Sequence, residues 1–291
     1  MLLTCNVSSI GQLLRGNKQR PAQLKLLDVP AYVKDELGLH GLSISTDLLV
    51  GSTPDRLNAF RERADKAGCA CLLLIESEPQ PLGDPDDEKG FAAIDRGKRV
   101  LQAASLLGCN SAAIRVEAAD DDESMERVVD RIREILPVAD KLDIYLALRP
   151  HEGLTADPER LTDTIKKIGG FRVATLPDLQ VAAGQDDPAA YLRRITPYAS
   201  AVLAQTFEFA EVQAPEIDDD KPASLDDLAE ALVAAEAPEH TTYALEPLIA
   251  AIASVGFDGT IAIDYRGEGD PTLGVLQSRD ALDAALEAVS G

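Results

Sequence analysis

Short apolar runs alternate with amphipathic stretches along the whole chain. Runs that are almost continuously apolar are typical of strands that are covered on both faces of a parallel sheet. The pattern therefore predicts eight buried strands, at 2–8, 41–46, 70–75, 110–116, 143–149, 171–176, 200–206 and 259–265.

The stretches between these runs carry the start and stop signals of helices. Thr53 gives an N-cap, Pro54 follows it in the first turn, and Gly68 marks the end of that helix. Asp157 and Asp187, each directly before a proline, repeat the start signal. Further helices are predicted over 91–107, over 123–136 with an end before Pro137, and near 244–255.

The alternation of eight strands with helices predicts an α/β protein that is one domain over residues 1–291. Its expected fold is a single (β/α)₈ TIM barrel, in which a right-handed crossover follows each strand. A length of 291 residues is normal for one such barrel. A doubly wound open sheet is the alternative, because periodicity alone does not show that a sheet closes.

The segment 207–242 interrupts this rhythm, because it is too long for a simple connection between a strand and a helix. It contains an acidic run at 216–220 and a predicted extra helix from 224 to 236. An insert after strand seven lies on the C-terminal face of a barrel, where active sites are built. The segment is either a lid over the site or a solvent-exposed loop.

Charge and composition exclude several classes of partner. The net charge of −22 and the sequence pI near 4.4 disfavour nucleic acid and anionic membranes, because both carry negative charge. No apolar stretch approaches the roughly 20 residues of a membrane span, and no signal-peptide pattern is present at the N-terminus. We therefore expect a cytoplasmic protein with no nucleic-acid or membrane partner.

Three segments carry a resemblance to a known family. They read VKDELGLHG at 33–41, KRVLQAASLLG at 98–108, and LIAAIASVGFDG at 248–259 followed by IAIDYRG at 261–267. These segments resemble the sugar phosphate isomerase/epimerase proteins, which are xylose isomerase-like TIM barrels. The resemblance implies action on a carbohydrate or polyol, with one or two divalent metals held at the barrel mouth by carboxylates and a histidine. Such a metal polarises a sugar oxygen while a nearby carboxylate or His moves the proton.

The positions that match the family's metal ligands depart from its pattern. Asp178 is retained after strand six, and Asp264 is a shorter form of the Glu at strand eight. Arg149 replaces the Glu of strand five, Leu203 replaces the His of strand seven, and Gln205 takes the place of a following Lys. The resemblance thus implies a degenerate site with no metal cofactor, the alternative being a bound divalent Mg, Mn or Zn ion.

Arg149 brings a permanent positive charge to the place of a dication. Two facing carboxylates without a cation are costly, and a guanidinium group satisfies both through its fork geometry. We therefore expect Arg149 to occupy the place of the metal and to pair with both Asp178 and Asp264.

Polar residues at the strand ends complete the predicted site. His151 fits the His-x-Gly pattern of the family after strand five, and Glu117 directly follows strand four. Together with the two retained acids they form the predicted acid–base set, which is His151, Glu117, Asp178 and Asp264. The predicted substrate-binding residues are Arg149, Gln180, Gln205, Arg266 and Glu268, whose groups suit the hydroxyls of a carbohydrate-like ligand.

Two functions remain open after this comparison. The first is a sugar or sugar phosphate isomerase or epimerase with an altered mouth. The second is a non-catalytic, metal-free relative that binds a small sugar-like or anionic ligand. A nuclease of the same barrel superfamily is disfavoured, because it requires several His ligands and a basic face, whereas the chain has three His and a charge of −22. Barrels of this type often form homo-oligomers, which is an expectation here.

Overall fold

The computed structural model describes residues 1–15, 21–210 and 237–290. Eight parallel strands form one sheet, and each lies at a predicted position. They are β1 (Leu2–Asn6), β2 (Gly41–Ser45), β3 (Ala70–Ile75), β4 (Ser111–Arg115), β5 (Tyr145–Arg149), β6 (Val173–Thr175), β7 (Ala201–Thr206) and β8 (Thr260–Tyr265).

The sheet curls until its ends meet. Neighbouring strands pair in chain order from β1 to β6, and β1 also pairs with β8, which pairs with β7. Two isolated bridges join β6 to β7, between Thr175 and Ala199 and between Asp178 and Leu203. The Leu203 amide donates to the Pro177 carbonyl at 2.8 Å on this seam. The fold is therefore the single (β/α)₈ barrel, and the open-sheet alternative is wrong.

Helices connect successive strands. The described helices are α1 (Gly11–Leu14), α2 (Val29–Asp35), α3 (Pro54–Ala67), α4 (Asp87–Leu107), α5 (Asp122–Leu142), α6 (Pro158–Ile168), α7 (Leu179–Ala183), α8 (Pro188–Ile195), α9 (Glu246–Ser254) and α10 (Pro271–Ser290). None of the described helices is both long enough and apolar enough to cross a membrane.

The predicted caps are confirmed, but one predicted helix end is wrong. The side chains of Thr53, Asp157 and Asp187 accept backbone N–H bonds at the starts of α3, α6 and α8. Pro137 does not end α5, which continues to Leu142. A proline removes one intrahelical bond, but the buried face continues past it to Ala139, and packing of that face maintains the helix.

The core has two parts. A large cluster of mainly aliphatic residues fills the layer between strands and helices. A smaller cluster fills the inside of the barrel and consists of Leu73, Ile75, Ala113, Ala147, Ala174, Leu176, Ala201, Leu203 and Ala262. Because this inner cluster fills the barrel's interior, a cavity on the barrel axis forms above it, at the C-terminal ends of the strands.

The insert after β7 is described only at its two ends. Phe209 and His240 form an antiparallel bridge there, so the segment leaves and re-enters the barrel at one place. The acidic run at 216–220 and the predicted helix at 224–236 lie outside the described residues.

Candidate functional site

A polar layer lies directly above the apolar interior of the barrel. Alternate residues of a strand face the same side, so a residue two positions beyond an inner apolar residue faces the mouth. On the five strands from β4 to β8 these residues are Arg115, Arg149, Asp178, Gln205 and Asp264. The open space above them is a polar pocket of about 520 Å³.

The opposite wall of this pocket carries hydroxyl groups. Ser8, Ser45 and Ser77 follow or end the first three strands and line the pocket. The Ser8 and Ser45 hydroxyls lie 3.0 Å apart and share a hydrogen bond. We call Ser8, Ser45 and Ser77 the serine wall. These hydroxyl groups lie beside charged residues, since Arg15, Asp47 and Glu76 line the same pocket.

Arg149 is ion-paired with Asp178, as the sequence predicts. Its Nη2 donates to Asp178 Oδ2 at 2.7 Å, and the aspartate is fully buried. The other oxygen, Oδ1, accepts from the Gln180 amide at 3.0 Å and caps α7. Burial raises the pKa of Asp178, and the Arg149 charge only partly opposes this.

The expectation that Arg149 also pairs with Asp264 is wrong. Asp264 is fully buried, and its partner is Arg266, whose Nη2 lies 2.9 Å from its carboxylate oxygens. Gln205 Nε2 donates to the same carboxylate at 3.1 Å. Because Arg266 follows Asp264 by two residues and folds back over it, the charge of the carboxylate is neutralised locally. Its Oδ1 atom is buried and accepts no hydrogen bond from the described residues.

Arg115 is a residue of the mouth that sequence analysis missed. It pairs in register with Arg149 on the neighbouring strand. Its Nη2 donates to the Ser77 carbonyl, whereas its Nε is buried with no hydrogen-bond partner. Burial, followed by the Arg149 charge, lowers the pKa of Arg115. The same strand alternation that places Ala113 inside the barrel was the available sequence signal for Arg115.

Glu76 is a second missed residue, and it directly follows β3. Its side chain is 2% exposed, lines the pocket and accepts from Arg96 Nε on α4 at 2.7 Å. The Thr46 hydroxyl donates to it at 3.2 Å. The sequence signal for Glu76 was its position directly after a strand, which is the same signal that predicted Glu117 after the next strand.

His151 and Glu117 lie outside the main pocket. They line a neighbouring pocket of about 740 Å³ between the loops that follow β4 and β5. Burial and the Arg115 charge lower the pKa of His151, and the Glu117 side chain is exposed. His151 also lines a small pocket of about 320 Å³ with Arg115 and Arg149. The structure therefore does not bring the four predicted acid–base groups together.

The predicted binding residues also divide into two groups. Arg149, Gln205 and Arg266 line the main pocket. Gln180 and Glu268 have exposed side chains and do not line it, so their side chains are not part of this site. The backbone amides of Gln180 and Glu268 donate to the side chains of Asp178 and Glu208, respectively.

The residues of the mouth do not fit a divalent metal of the family type. Within residues 1–15, 21–210 and 237–290, no group of three or more His, Cys, Asp or Glu side chains is placed to hold a metal ion. Asp178 and Asp264, the two carboxylates at family positions, are each neutralised by a guanidinium group. A dication would have to displace Arg149 and then lie beside Arg115, where like charges repel.

Several solved structures share this architecture. L-ribulose 3-epimerase superposes with a TM-score of 0.75 at 12% identity, over 99% of this chain and 95% of the other. The 3-keto-D-glucoside 4-epimerase YcjR of E. coli gives 0.68 at 14% identity, over 99% of both chains. The IolI protein with a bound zinc atom gives 0.69 at 14% identity, over 99% of both chains. At these identities the likeness establishes the fold alone.

No curated protein sequence matches the chain significantly. The sequence model of one family, described as the xylose isomerase-like TIM barrel, matches residues 35–285. This match covers most of the chain, including every strand end that forms the mouth except that of β1. The chain therefore belongs to the xylose isomerase-like TIM barrel family.

Proposed function

We propose that this chain is an isomerase- or epimerase-like protein that binds a carbohydrate or polyol in the barrel mouth and acts on it without a divalent metal. The observation that carries this proposal is the polar pocket of about 520 Å³, with the serine wall facing arginine and amide groups. Sugar hydroxyls require such closely spaced donors and acceptors. The names of the similar epimerases, which act on ribulose and on a keto-glucoside, support a carbohydrate ligand.

The proposed chemistry uses guanidinium groups where relatives use a metal. Isomerisation next to a carbonyl removes a proton and leaves negative charge on oxygen, which preorganised donors stabilise. Arg149, which faces the mouth at a family ligand position, would donate to that oxygen. Asp178 and Asp264 would exchange the proton, and the raised pKa of Asp178 suits a group that holds a proton closer to neutral pH.

His151 and Glu117 have a separate role in this proposal. They line the neighbouring pocket, and His151 shares a smaller pocket with both arginines of the mouth. They would contact a part of the ligand that extends beyond the main pocket, or relay a proton from it. Their substitution would then change the affinity for longer ligands more than for short ones.

A second function is favoured by one specific observation. The three buried carboxylates of the mouth, Asp178, Asp264 and Glu76, are each ion-paired with an arginine. The guanidinium charge in such a pair opposes protonation of the carboxylate, and so opposes its action as a base. This arrangement favours a non-catalytic relative that binds its ligand without transforming it.

One experiment separates these proposals. The full chain is exposed to magnesium, manganese or zinc, the excess is removed, and the retained metal is quantified per chain. Ketoses and aldoses are then incubated with the protein in D₂O, and deuterium incorporation next to the carbonyl is followed by NMR. We expect no stoichiometric metal, and deuterium incorporation that Asp178→Asn abolishes.

The other outcomes each have a defined meaning. Near-stoichiometric metal would contradict the metal-free part of the proposal. Sugar binding without deuterium incorporation would support the non-catalytic relative, and no binding of any sugar would overturn the carbohydrate proposal. Arg56→Gln, on the exposed face of α3, is the matched control and is expected to behave as the native chain does.

A further inference from the structure

We infer that the ligand of the barrel mouth carries an anionic group, a carboxylate or a phosphate monoester, which Arg115 and Arg149 bind together. This inference rests on the proposed function, because it names the charge of the ligand that the same pocket takes.

The charge balance of the pocket points to this ligand. Every other guanidinium group that lines the pocket has a carboxylate partner: Arg149 with Asp178 at 2.7 Å, Arg266 with Asp264 at 2.9 Å, and Arg15 with Asp47 at 3.3 Å. Among the described residues, none supplies a carboxylate within 4.0 Å of Arg115. Arg115 therefore has no ion-pair partner among the described residues, and the Glu78 and Glu76 charges act on it only from beyond that distance.

The lack of an ion-pair partner is unfavourable for Arg115, because the residue lies beside a second arginine. Arg115 and Arg149 are register partners on adjacent strands, where backbones lie about 4.8 Å apart. The Arg149 charge disfavours the charged form of Arg115, because positive charges on neighbouring strands repel where water is partly excluded. An anion between them removes the repulsion and gains two charge-assisted contacts, since guanidinium groups bind carboxylate and phosphate in a fork geometry.

The hydrogen-bonding state of Arg115 supports the same conclusion. Its Nη2 is held by the Ser77 carbonyl, which fixes the direction of the side chain. Its Nε is buried and has no partner, and buried donors are normally bonded. A fixed guanidinium group with an unused donor is a preorganised anion site.

The rest of the pocket defines the other end of the ligand. Within the serine wall, Ser8 and Ser45 line the part of the pocket formed by β1 and β2 and offer hydroxyl groups, whereas Arg115 and Arg149 belong to β4 and β5. A ligand that spans the pocket therefore has an anionic group at the arginines and a polyhydroxylated part at the serines. Sugar acids and sugar phosphates both have this form.

Thermal unfolding in the presence of small probes tests the inference. The midpoint of the full chain is measured by circular dichroism with inorganic phosphate, D-gluconate, D-glucose 6-phosphate or D-sorbitol, at constant ionic strength. A ligand of the native state raises the midpoint in proportion to its affinity. We expect the anionic probes to raise the midpoint and sorbitol, the neutral polyol, to have a much smaller effect at the same concentration.

Three variants locate the effect. Arg115→Gln should weaken anion binding by about tenfold or more, the usual loss for a hydrogen bond to a charged group. Without ligand it should unfold at the same or a higher temperature, because repulsion from Arg149 is removed. Arg115→Lys should restore part of the binding, and Arg56→Gln, outside the pocket on α3, should bind as the native chain does.

Several results would overturn the inference. They are an absence of binding by all three anionic probes, an equal response to gluconate and sorbitol, an equal phosphate response in Arg115→Gln, and a sharp fall in the ligand-free midpoint of that variant. The ranking of gluconate against glucose 6-phosphate decides between a carboxylate and a phosphate.

The test separates the inference from the proposed function. Anion binding that depends on Arg115, with no turnover of any sugar, would sustain the inference and remove the isomerase proposal. Turnover of neutral sugars without anion binding would do the reverse.

Discussion

Arg149, at the floor of the mouth, compensates the buried charge of Asp178. Asp178 is fully buried, and its charge is balanced by one guanidinium group that is itself 17% exposed on its side chain. Desolvation of two charges offsets much of their attraction, so a buried pair contributes little net stability. Loss of one partner is nevertheless expensive, because the other charge is left buried and uncompensated.

Arg149→Met should therefore destabilise the protein by about 3 kcal/mol at pH 8, the usual cost of breaking a buried pair. Without Arg149 the pKa of Asp178 rises further, since burial already raises it. A raised carboxyl pKa lowers stability as pH increases, because the native state then holds a proton that the unfolded chain releases. The loss should be smaller at pH 5 than at pH 8.

Urea unfolding of the native chain and the variant at both pH values measures this difference. The double variant Arg149→Met, Asp178→Leu is the control, and we expect it to recover most of the lost stability. A single variant as stable as the native chain at pH 8 would contradict the expectation.

Gly153 permits two loops of the mouth to meet. Its φ is +81°, and a Cβ atom there would lie 2.0 Å from the Ala118 carbonyl oxygen. Gly153→Ala should therefore destabilise the fold by more than about 1 kcal/mol, because both the backbone conformation and the contact are unfavourable. Gly11→Ala is the matched control, since Gly11 has a helical φ of −57° and nothing lies within 4 Å of the added atom.

Comparison of the thermal midpoints of the Gly153 and Gly11 variants tests this contact. Equal midpoints would mean that the loops after β4 and β5 separate at no cost. The pocket that holds His151 and Glu117 would then be more open than it is here.

For single residues, the sequence predicted which side chains lie at the mouth better than it predicted which of them form ion pairs. The sequence predicted three binding residues from their positions at strand ends that do line the pocket, namely Arg149, Gln205 and Arg266. Arg115 was missed because that pattern assigns no role to the end of strand four. The partner of Asp264 depends on how the Arg266 side chain folds back, which no one-dimensional pattern encodes.

Among the elements, the two ends of the insert are joined by backbone hydrogen bonds between 208–210 and 239–241 and by the side chain of His240. His240 is 7% exposed and packs against Phe209 and Tyr243. Its Nε2 accepts from the Phe207 amide at 2.9 Å, and its Nδ1 donates to the Tyr243 carbonyl at 2.9 Å. Only the neutral imidazole can do both, since protonation removes the acceptor.

The stability of this anchor should depend on pH. Burial lowers the pKa of His240 below the ordinary value of 6.5. The unfolded chain then binds a proton that the native state does not, so stability is fully present above about pH 6.5 and falls as pH decreases below it. His240→Phe should remove this component and cost about 1–3 kcal/mol at pH 7.5, because the buried Phe207 amide loses its acceptor.

Thermal unfolding at pH 7.5 and pH 5 compares the native chain with His240→Phe. His40→Gln is the control, because it removes a histidine that lies exposed before β2 and outside the insert. A variant with the same pH dependence as the native chain would exclude His240 as its source.

Element types were predictable because the apolar runs are short and evenly separated. The end of α5 was not, because Pro137 is a local signal and the buried face beyond it is a tertiary one. The periodicity of the sequence also could not show that the barrel closes. Closure depends on the contact between Pro177 and Leu203, which is a tertiary contact.

For the whole molecule, the net charge of −22 is the dominant electrostatic feature. Like charges over one surface repel and destabilise the compact state, and salt screens them beyond about 10 Å at 0.1 M. Stability should therefore increase between 0.05 M and 1 M sodium chloride. Urea unfolding at the two salt concentrations tests this, and a decrease would mean that the ion pairs of the mouth outweigh the surface repulsion.

The barrel also has one weak seam. Every other pair of neighbouring strands shares a ladder, with one register shift between β2 and β3, whereas β6 and β7 meet only through isolated bridges. Amide protons near such a seam are the first to exchange with solvent during native-state fluctuations. Asp178 is itself one of the bridging residues, so a ligand that holds Arg149 also holds the barrel closed. Occupancy of the mouth would then be detectable as slower deuterium uptake at 173–175 and 201–203, without any label in the pocket.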